Sequence, residues 1–461
     1  MRRLGLVVVL LMCALSLGAQ SSPPPARQSP RQTSAKKIYP EPKLLTWSQQ
    51  MAVREQWLEK RHQMILPMLR RHGIDMWIVV NEEFHDDPLT QYVAPPRPYT
   101  GNRDFFVFID TGEKGLRKLA ITGYAEETLE KFFESPEEPR PADKVLPELW
   151  EQYHPKKIAL SYGARRGVQR SITKDTFDFI AEKMGPEAVK RFVPAADLIE
   201  DYLATRLPEE FSTYADLVWL TDVLTRRAFS SEVITPGKTT LGDIRRWFYD
   251  QLGARGVGTW FQPDLRVQRK GVPNNTSRGF LAVSPDATVV QRGDVLHVDF
   301  GISYMGLSSD WQKMGYVLRP GERDVPQGLK RALKNTNELQ DALMLRAARP
   351  GRTGGEVYNL AMEEMKRKGI EAKIYSHPVG NQGHGLGPSI DYRSTQRPEI
   401  ATAQAKPLVK GSYEAIELNT LTPVPEWDGQ KVFVMMEDDA YLTDEGYRFF
   451  RPRQESWYVI K

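Results

Sequence analysis

Residues 292–310 read RGDVLHVDFGISYMGLSSD, and this stretch decides the architecture of the second half of the chain. Val295 to Phe300 form a predicted strand that carries a carboxylate, Asp299, near its end. A second carboxylate, Asp310, follows after a turn that contains glycine. An antiparallel hairpin can return both side chains to one patch of sheet. Because two acids on one buried face repel each other, their proximity predicts a cation between them.

The second half of the chain repeats itself. TPGKTTLGDIRRWFYDQLGARGV begins at residue 235, and RPGRTGGEVYNLAMEEMKRKGI begins at residue 349. Each segment combines Pro-Gly, a basic residue, threonine, an acid, a helical pattern and a closing glycine. Each is followed by a strand that starts at a glycine and ends at an acid with the same spacing, Gly293 to Asp299 and Gly411 to Glu417. The repeat predicts two copies of one unit, with Asp299 and Glu417 meeting near a pseudo-two-fold axis.

Two further side chains complete a candidate metal-binding set. His384 lies in GNQGHGLGP, where the flanking glycines leave the imidazole accessible, and Glu437 ends the strand VFVMME. With Asp299, Asp310 and Glu417 they make four carboxylates and one imidazole. Two divalent cations balance the four negative charges, and an oxygen-rich set suits Mn²⁺, Co²⁺ or Fe²⁺ better than metals that seek thiolates.

The motifs DVLHVDFG, GHGLGP, AIELN and EDDAYLTDEG, together with Asp310, resemble the metallopeptidase family of Xaa-Pro aminopeptidases, prolidases and methionine aminopeptidases. The resemblance implies a creatinase-like "pita-bread" α+β catalytic domain over residues 206–461 and two divalent metal ions, Mn²⁺ first, with Co²⁺, Fe²⁺ or Zn²⁺ as alternatives. It implies Asp299, Asp310, His384, Glu417 and Glu437 as ligands. It also implies hydrolysis of short, Xaa-Pro-like peptides by a hydroxide that bridges the metals.

The resemblance also assigns catalytic roles. Glu417 is similar to the family glutamate that takes the proton of the attacking water. Family members use two further histidines around the scissile carbonyl, and the nearest positions here carry Ala282 and Gly380. His377 and His297 are therefore the candidates for that work, and His297 has an equally open interpretation as a residue that supports a ligand.

The sequence of the first half indicates three segments. Residues 1–19 have Arg2 and Arg3 before an apolar run and small residues after it, the layout of a signal peptide, which predicts export to the periplasm or outside the cell. Residues 20–45 are rich in Pro, Ser and Gln and predict a disordered linker. Residues 46–205 alternate strand and helix patterns and predict an α/β domain, similar to the N-terminal domain of aminopeptidases P and prolidases.

The composition of the chain argues against several other classes of function. The single cysteine, Cys13, lies in the predicted signal peptide, so thiolate chemistry is excluded from the mature chain. A net charge of +4 gives no argument for nucleic acid, and no stable membrane span is expected. Relatives with this N-terminal domain are often homodimers. An alternative to the peptidase keeps the fold and metals but acts as a lyase, as another enzyme or as a binding module.

Overall fold

The computed structural model describes residues 40–96, 101–123, 127–135, 138–277 and 279–461. The predicted signal peptide and most of the predicted linker lie outside these ranges. Residues 40–45 are described, and they pack on the second half of the chain: Leu45 N donates to the Tyr304 hydroxyl at 2.9 Å, and Glu41 pairs with Arg227 and Arg255. The expectation of a disordered linker as far as residue 45 is therefore wrong for its last six residues.

The first long helix follows its sequence signals. The side chain of Gln49 accepts a hydrogen bond from Thr46 N at 2.9 Å, which caps the first turn. Gly73 ends the helix in the left-handed region at φ 61°, where a side chain would be strained. Seven helices belong to the first half: α1 (Trp47–His72), α2 (Thr90–Val93), α3 (Glu127–Glu130), α4 (Ala142–Tyr153), α5 (Lys174–Met184), α6 (Pro186–Val189) and α7 (Ala196–Ala204).

A mixed five-stranded sheet forms the core of this half, in the order β3-β2-β1-β4-β5. Alternation along β1 places Trp77 and Val79 on the face that α1 and α7 cover, and Met76 and Ile78 on the face that α4 and α5 cover. The predicted α/β layering is thus present. The strands are β1 (Met76–Glu82), β2 (Arg103–Asp110), β3 (Leu116–Ile121), β4 (Ile158–Leu160) and β5 (Phe192–Pro194).

The second half contains two copies of a unit of two helices and three antiparallel strands. The first copy has its strands in the order β6, β9, β12, and the second has β13, β16, β17. The helices are α8 (Phe211–Ala228), α9 (Leu241–Gly253), α10 (Gln327–Asp341), α11 (Gly354–Lys368) and α12 (Pro398–Gln404). The strands are β6 (Asp264–Gln268), β7 (Thr276–Ser277), β8 (Phe280–Leu281), β9 (Val295–Phe300), β10 (Ser303–Tyr304), β11 (Leu307–Ser308), β12 (Trp311–Val317), β13 (Glu371–Pro378), β14 (Ile390–Asp391), β15 (Tyr413–Ala415), β16 (Leu418–Pro423), β17 (Lys431–Met436), β18 (Asp439–Thr443), β19 (Gly446–Phe449) and β20 (Tyr458–Ile460).

The repeat seen in the sequence is a structural duplication. Thr240 and Thr353 cap α9 and α11 in the same way: each hydroxyl accepts from the amide of an acid three residues on, Asp243 or Glu356, whose carboxylate accepts from the threonine amide. The two capped helices then pack on equivalent three-stranded sheets. The prediction of two copies is confirmed at the level of individual hydrogen bonds.

The strands that carry the site also begin alike. Gly293 and Gly411 have φ values of 87° and 82°, and their amides donate to Val317 O and Leu442 O at 2.7 and 2.8 Å. Positive φ at both positions requires glycine and turns the chain into the strand that leads to the acid. No helix in the described residues has the length and apolar composition to cross a membrane.

Candidate metal centre

The β9–β12 hairpin positions the first two carboxylates. Asp299 lies opposite Gln312 in the register, and Asp310 immediately precedes β12. The connection contains the short hairpin of β10 and β11. A Cβ on Gly301, which follows β9, would collide with Ser309 O and the Trp260 indole nitrogen, so only glycine permits this close return of the chain. The hairpin predicted from the sequence is present, and both acids lie at the end of the hairpin where the connection joins β9 to β12.

The second copy supplies the other two carboxylates. Glu417 lies between β15 and β16, and Glu437 lies between β17 and β18. The backbones of Gln312 and Glu437 exchange two hydrogen bonds, each of 3.2 Å, so the two copies are joined at the site itself. Carboxylates from both copies therefore face one space, as the pseudo-two-fold repeat predicted.

The two histidines occupy different places around this space. His377, near the end of β13, points its Nε2 atom to within 3.5 Å of Asp310 and of Glu437 and 3.8 Å of Glu417. His384 lies in the following loop, exposed on the solvent side, with its ring centroid 4.7 Å from that of His377. Within the described residues, the group of candidate ligands that includes His384 is completed by Asp310 and His377. The geometry favours His377 over His384 as the central imidazole.

The loop that carries His384 is held by an aromatic side chain. The indole of Trp260 contacts the His384 ring edge-on at 5.0 Å, and its nitrogen donates to Ser309 O at 2.9 Å. A Cβ on Gly383 would overlap the same indole. Trp260 thus holds both the His384 ring and Ser309, the residue before Asp310.

The carboxylates are buried and repel one another. Burial raises the pKa of Asp310 well above its usual range, and the negative charges of Glu437, Asp299 and Glu417 raise it further. Burial likewise raises the pKa of Asp299 to about 7 and those of Glu417 and Glu437 well above normal. Four adjacent acids cannot all be ionised here unless positive charge is supplied.

The donor set fits a divalent metal centre. Asp310 Oδ1, Glu437 Oε1 and His377 Nε2 are buried and have no hydrogen-bond partner among the described residues. One group of donor atoms, from Asp299, Asp310 and Glu437, lies within 4.8 Å of one another, and a second group comes from His377, Glu417 and Glu437. Burial lowers the pKa of His377 to about 4, so its imidazole is neutral and able to ligate. Unsatisfied oxygen and nitrogen donors around one space are what a divalent cation requires.

Gln312 is a site residue that the sequence reasoning missed. Its Nε2 atom donates toward Asp299, Glu417 and Glu437 at 3.3, 2.5 and 3.0 Å. It is two residues beyond Asp310 and opposite Asp299, so strand alternation and register were the available signal. A neutral amide between ligand candidates holds three carboxylates in position.

His297 supports that amide and does not face the open side of the site. Arg266, which can only donate, lies 3.2 Å from His297 Nδ1, so the proton is on Nε2 and is donated to Gln312 Oε1 at 3.0 Å. His297 is fully buried, and burial lowers its pKa well below normal. Of the two interpretations left open for His297, the structure favours the supporting one.

Charged residues behind the ligands fix the backbone. The amide of Asp310 donates to the carboxylate of Asp439 at 3.2 and 3.3 Å. The buried ammonium of Lys313 pairs with Asp438 at 2.7 Å and donates to Glu437 O at the same distance. A buried pair of this kind contributes more to a fixed geometry than to net stability.

Residues 221–444, which include all seven of the side chains predicted as ligands or catalysts, match the family described as Metallopeptidase family M24. This part of the chain is an M24 metallopeptidase domain. The M24 chain is also 29% identical over 161 residues to "Uncharacterized peptidase YqhT" of Bacillus subtilis (strain 168). That match spans 35% of this chain and 40% of the relative's length.

Solved structures similar to this M24 chain extend over both halves. An X-Pro aminopeptidase from Thermotoga maritima MSB8 has a TM-score of 0.64 at 20% identity and covers 87% of this chain and 99% of its own. A prolidase from Pyrococcus horikoshii OT3 has a TM-score of 0.56 at 18% identity, and the match covers 86% of this chain and 99% of the prolidase chain. Likeness at this identity establishes a shared fold, so the predicted pita-bread architecture with a preceding α/β domain is confirmed.

Proposed function

We propose that this chain is a dinuclear metallopeptidase that hydrolyses short, Xaa-Pro-like peptides. The observation that carries the proposal is the convergence of Asp299, Asp310, Glu417 and Glu437 on His377, with buried donor atoms that have no partner within the described residues. Glu437 and Asp310 each belong to two groups of candidate donors, so both side chains would help to hold the metal. Mn²⁺ is the first expectation for a set so rich in carboxylate oxygen.

Two bound cations would supply a water of lowered pKa as the nucleophile and polarise the peptide carbonyl. Glu417 accepts the proton of that water. Gln312 holds Glu417 Oε1 at 2.5 Å, whereas Glu417 Oε2 lies on the side of His377. The raised pKa of Glu417, caused first by burial and then by the charge of Glu437, suits a carboxylate that must hold a proton.

The two histidines exchange the roles that the sequence suggested. His377 takes the ligand position, because its Nε2 atom faces three carboxylates. His384 takes the oxyanion role, because its ring is exposed on the open side of the site. A neutral His384 ring donates through a ring N–H to the carbonyl oxygen.

Metal analysis of two variants separates these roles. Wild-type protein is expected to hold two metal ions per chain. His377→Ala should lose metal, whereas His384→Ala should keep both ions and lose about 10²–10³-fold in kcat. His85→Ala, a variant of an exposed histidine in the first half, is the control and should change neither quantity. The opposite pattern, metal lost only in His384→Ala, would restore the sequence-based assignment.

A peptide screen tests the activity. Metal-loaded protein should cleave Xaa-Pro peptides faster than matched peptides with alanine in place of proline. Full metal occupancy without cleavage of any short peptide would favour the alternative, an enzyme of this fold with a different reaction, or a binding module.

Export and assembly belong to the same proposal. The layout of residues 1–19 supports cleavage of a signal peptide near Ala19, and N-terminal sequencing of exported protein tests it. The homodimer inferred from the family resemblance is tested by sedimentation of the mature chain.

A further inference from the structure

Tyr92 is a residue of the first half whose side chain reaches the metal-binding half. Its hydroxyl oxygen lies 2.7 Å from Gly306 O and 2.5 Å from Asn381 O. A tyrosine hydroxyl has one proton to donate, so the two carbonyl oxygens share it and both lie close to the same point. The side chain is buried, so bulk water does not compete for these contacts.

The two carbonyls belong to two loops of the metal centre. Gly306 lies in the turn between β10 and β11, four residues before Asp310. Asn381 lies in the loop after β13, three residues before His384. A segment of three or four residues spans at most about 10–14 Å, so fixing each carbonyl limits where Asp310 and His384 lie.

The same two loops also contact each other near Tyr92. Ser308 N, two residues beyond Gly306, donates to Gly380 O at 2.5 Å. The guanidinium of Arg206, at the boundary between the halves, donates to the side-chain oxygen of Asn381. The Tyr92 hydroxyl therefore joins the loops at a point where the backbone already brings them together.

Tyr92 is itself held firmly by the first half. Its ring packs in the apolar core of that half. Its backbone carbonyl accepts from the Tyr202 hydroxyl at 2.8 Å, and the next carbonyl, that of Val93, lies 2.8 Å from His62 Nε2. Helix α2 cannot shift without losing these bonds, so Tyr92 gives both loops a fixed point outside their own half.

We propose that Tyr92 is a positioning residue for the metal centre, which holds the loop leading to Asp310 and the loop carrying His384 at a fixed separation. Its hydroxyl contacts the backbone of both loops and no ligand side chain, so it acts on the reaction through them. Loops that are ordered before the substrate arrives need not be ordered during binding. The kinetic consequence rests on the proposed peptidase function, whereas the effect on the loops does not depend on it.

Tyr92→Phe tests the proposal, because it keeps the ring and removes only the hydroxyl. Amide hydrogen exchange in residues 303–309 and 380–387 of the metal-loaded protein should become about 3–10-fold faster in both segments, the range of one hydrogen bond between neutral groups. The kcat for an Xaa-Pro peptide such as Ala-Pro should fall by at least the same factor. KM should stay within about 2-fold, because the loops place the reacting groups.

Tyr316→Phe is the matched control. Tyr316 is also buried, and its hydroxyl donates to the carboxylate of Glu322 at 3.0 Å, so this bond involves neither loop. A hydrogen bond to a charged group is at least as strong as one to a carbonyl, so the control should lose as much stability as Tyr92→Phe or more. Hydrogen exchange in both segments and kcat should nevertheless stay at their wild-type values.

Three results would overturn the inference. The first is equal acceleration of exchange in the two variants, which indicates general destabilisation. The second is faster exchange in only one of the two segments of Tyr92→Phe, and the third is faster exchange in both with an unchanged kcat. If the wild-type protein cleaves no short peptide, yet both segments exchange faster in Tyr92→Phe alone, the peptidase proposal fails and the positioning of the loops by Tyr92 stands.

Discussion

At the scale of single residues, Glu414 is a buried acid without a role in the site. It lies on β15, fully buried, and its Oε1 atom has no hydrogen-bond partner in the part of the chain that the structure describes. Burial raises its pKa well above normal, so the folded protein holds it protonated. The unfolded chain loses that proton above its own lower pKa. The contribution of Glu414 to stability is therefore largest at acidic pH and falls as the pH rises from its unfolded toward its folded pKa.

Glu414→Gln should raise the free energy of unfolding at neutral pH by roughly 1–2 kcal/mol, because a neutral amide carries no ionisation cost. The gain should shrink below about pH 4, where the unfolded glutamate is also protonated. Thermal unfolding from pH 4 to 8 measures it. Glu445→Gln, at an exposed position, is the control and should change the free energy by less than about 0.5 kcal/mol. A loss of stability in Glu414→Gln at every pH would mean that Glu414 is ionised and paired in the folded protein.

His297 gives a second prediction at this scale. His297→Ala removes the donor that orients the Gln312 amide and leaves Arg266 without its partner ring. The affinity for metal should fall by about 10–100-fold, the usual effect of losing a residue that orients the ligands. Competition with a chelator of known affinity measures the change. His297→Gln, which can still donate toward Gln312, should recover part of it. Unchanged affinity in His297→Ala would show that Gln312 is held by its carboxylate contacts alone.

At the scale of elements, the loop between β13 and β14 should be sensitive to one added methyl group. Gly383→Ala forces Cβ into the indole of Trp260, so the loop with His384 must shift. We expect two metal ions to stay bound and kcat to fall at least 10-fold, since misplacement by about 1 Å can cost 10²-fold. Gly253→Ala is the control: nothing lies within 4 Å of its Cβ at the end of α9, and the change should be neutral or slightly stabilising. Wild-type turnover in Gly383→Ala would show that the loop is free to move.

The elements also show what sequence could and could not predict. The sequence predicts a strand over Val295–Phe300 that carries Asp299, and β9 has those bounds, because a short apolar run and a following glycine turn are local signals. The duplication could also be predicted from the sequence, since the capping residues recur in the same order. The choice between His377 and His384 as the central imidazole could not be predicted from the sequence. It depends on the direction in which β13 points the His377 ring and on how far the next loop extends. Gln312 is an ordinary polar residue in the sequence, and only its tertiary contacts give it a role.

At the scale of the whole molecule, a buried ion pair joins the two halves. Arg61 of α1 reaches Glu210, at the start of the second half, at 2.6 Å, and also donates to Tyr202 O at 3.2 Å. Both charged side chains are at most 3% exposed. Removing one partner leaves the other charge buried and alone, which is costlier than removing both.

Arg61→Met should therefore destabilise the protein by about 3–5 kcal/mol, and Arg61→Met with Glu210→Met should recover most of the loss. Midpoints of thermal unfolding for the two variants measure the difference. Arg140→Met, which breaks the solvent-exposed pair with Glu148, should cost about 0–1 kcal/mol. A double variant no more stable than Arg61→Met would show that Arg61 acts through its packing against Tyr202, whose ring lies 5.5 Å away.

The joining of the two copies at the Gln312–Glu437 pair has a kinetic consequence. These residues are 125 positions apart, so the loop that closes the site is long and its contacts are non-local. The chain must also gather four like charges at that point, a step that gains nothing until cations or protons neutralise them. The site should consequently form last during refolding, after each copy has assembled around its own helices. Refolding traces should show a late phase that quickens with added metal or with falling pH, while the earlier phases respond to neither.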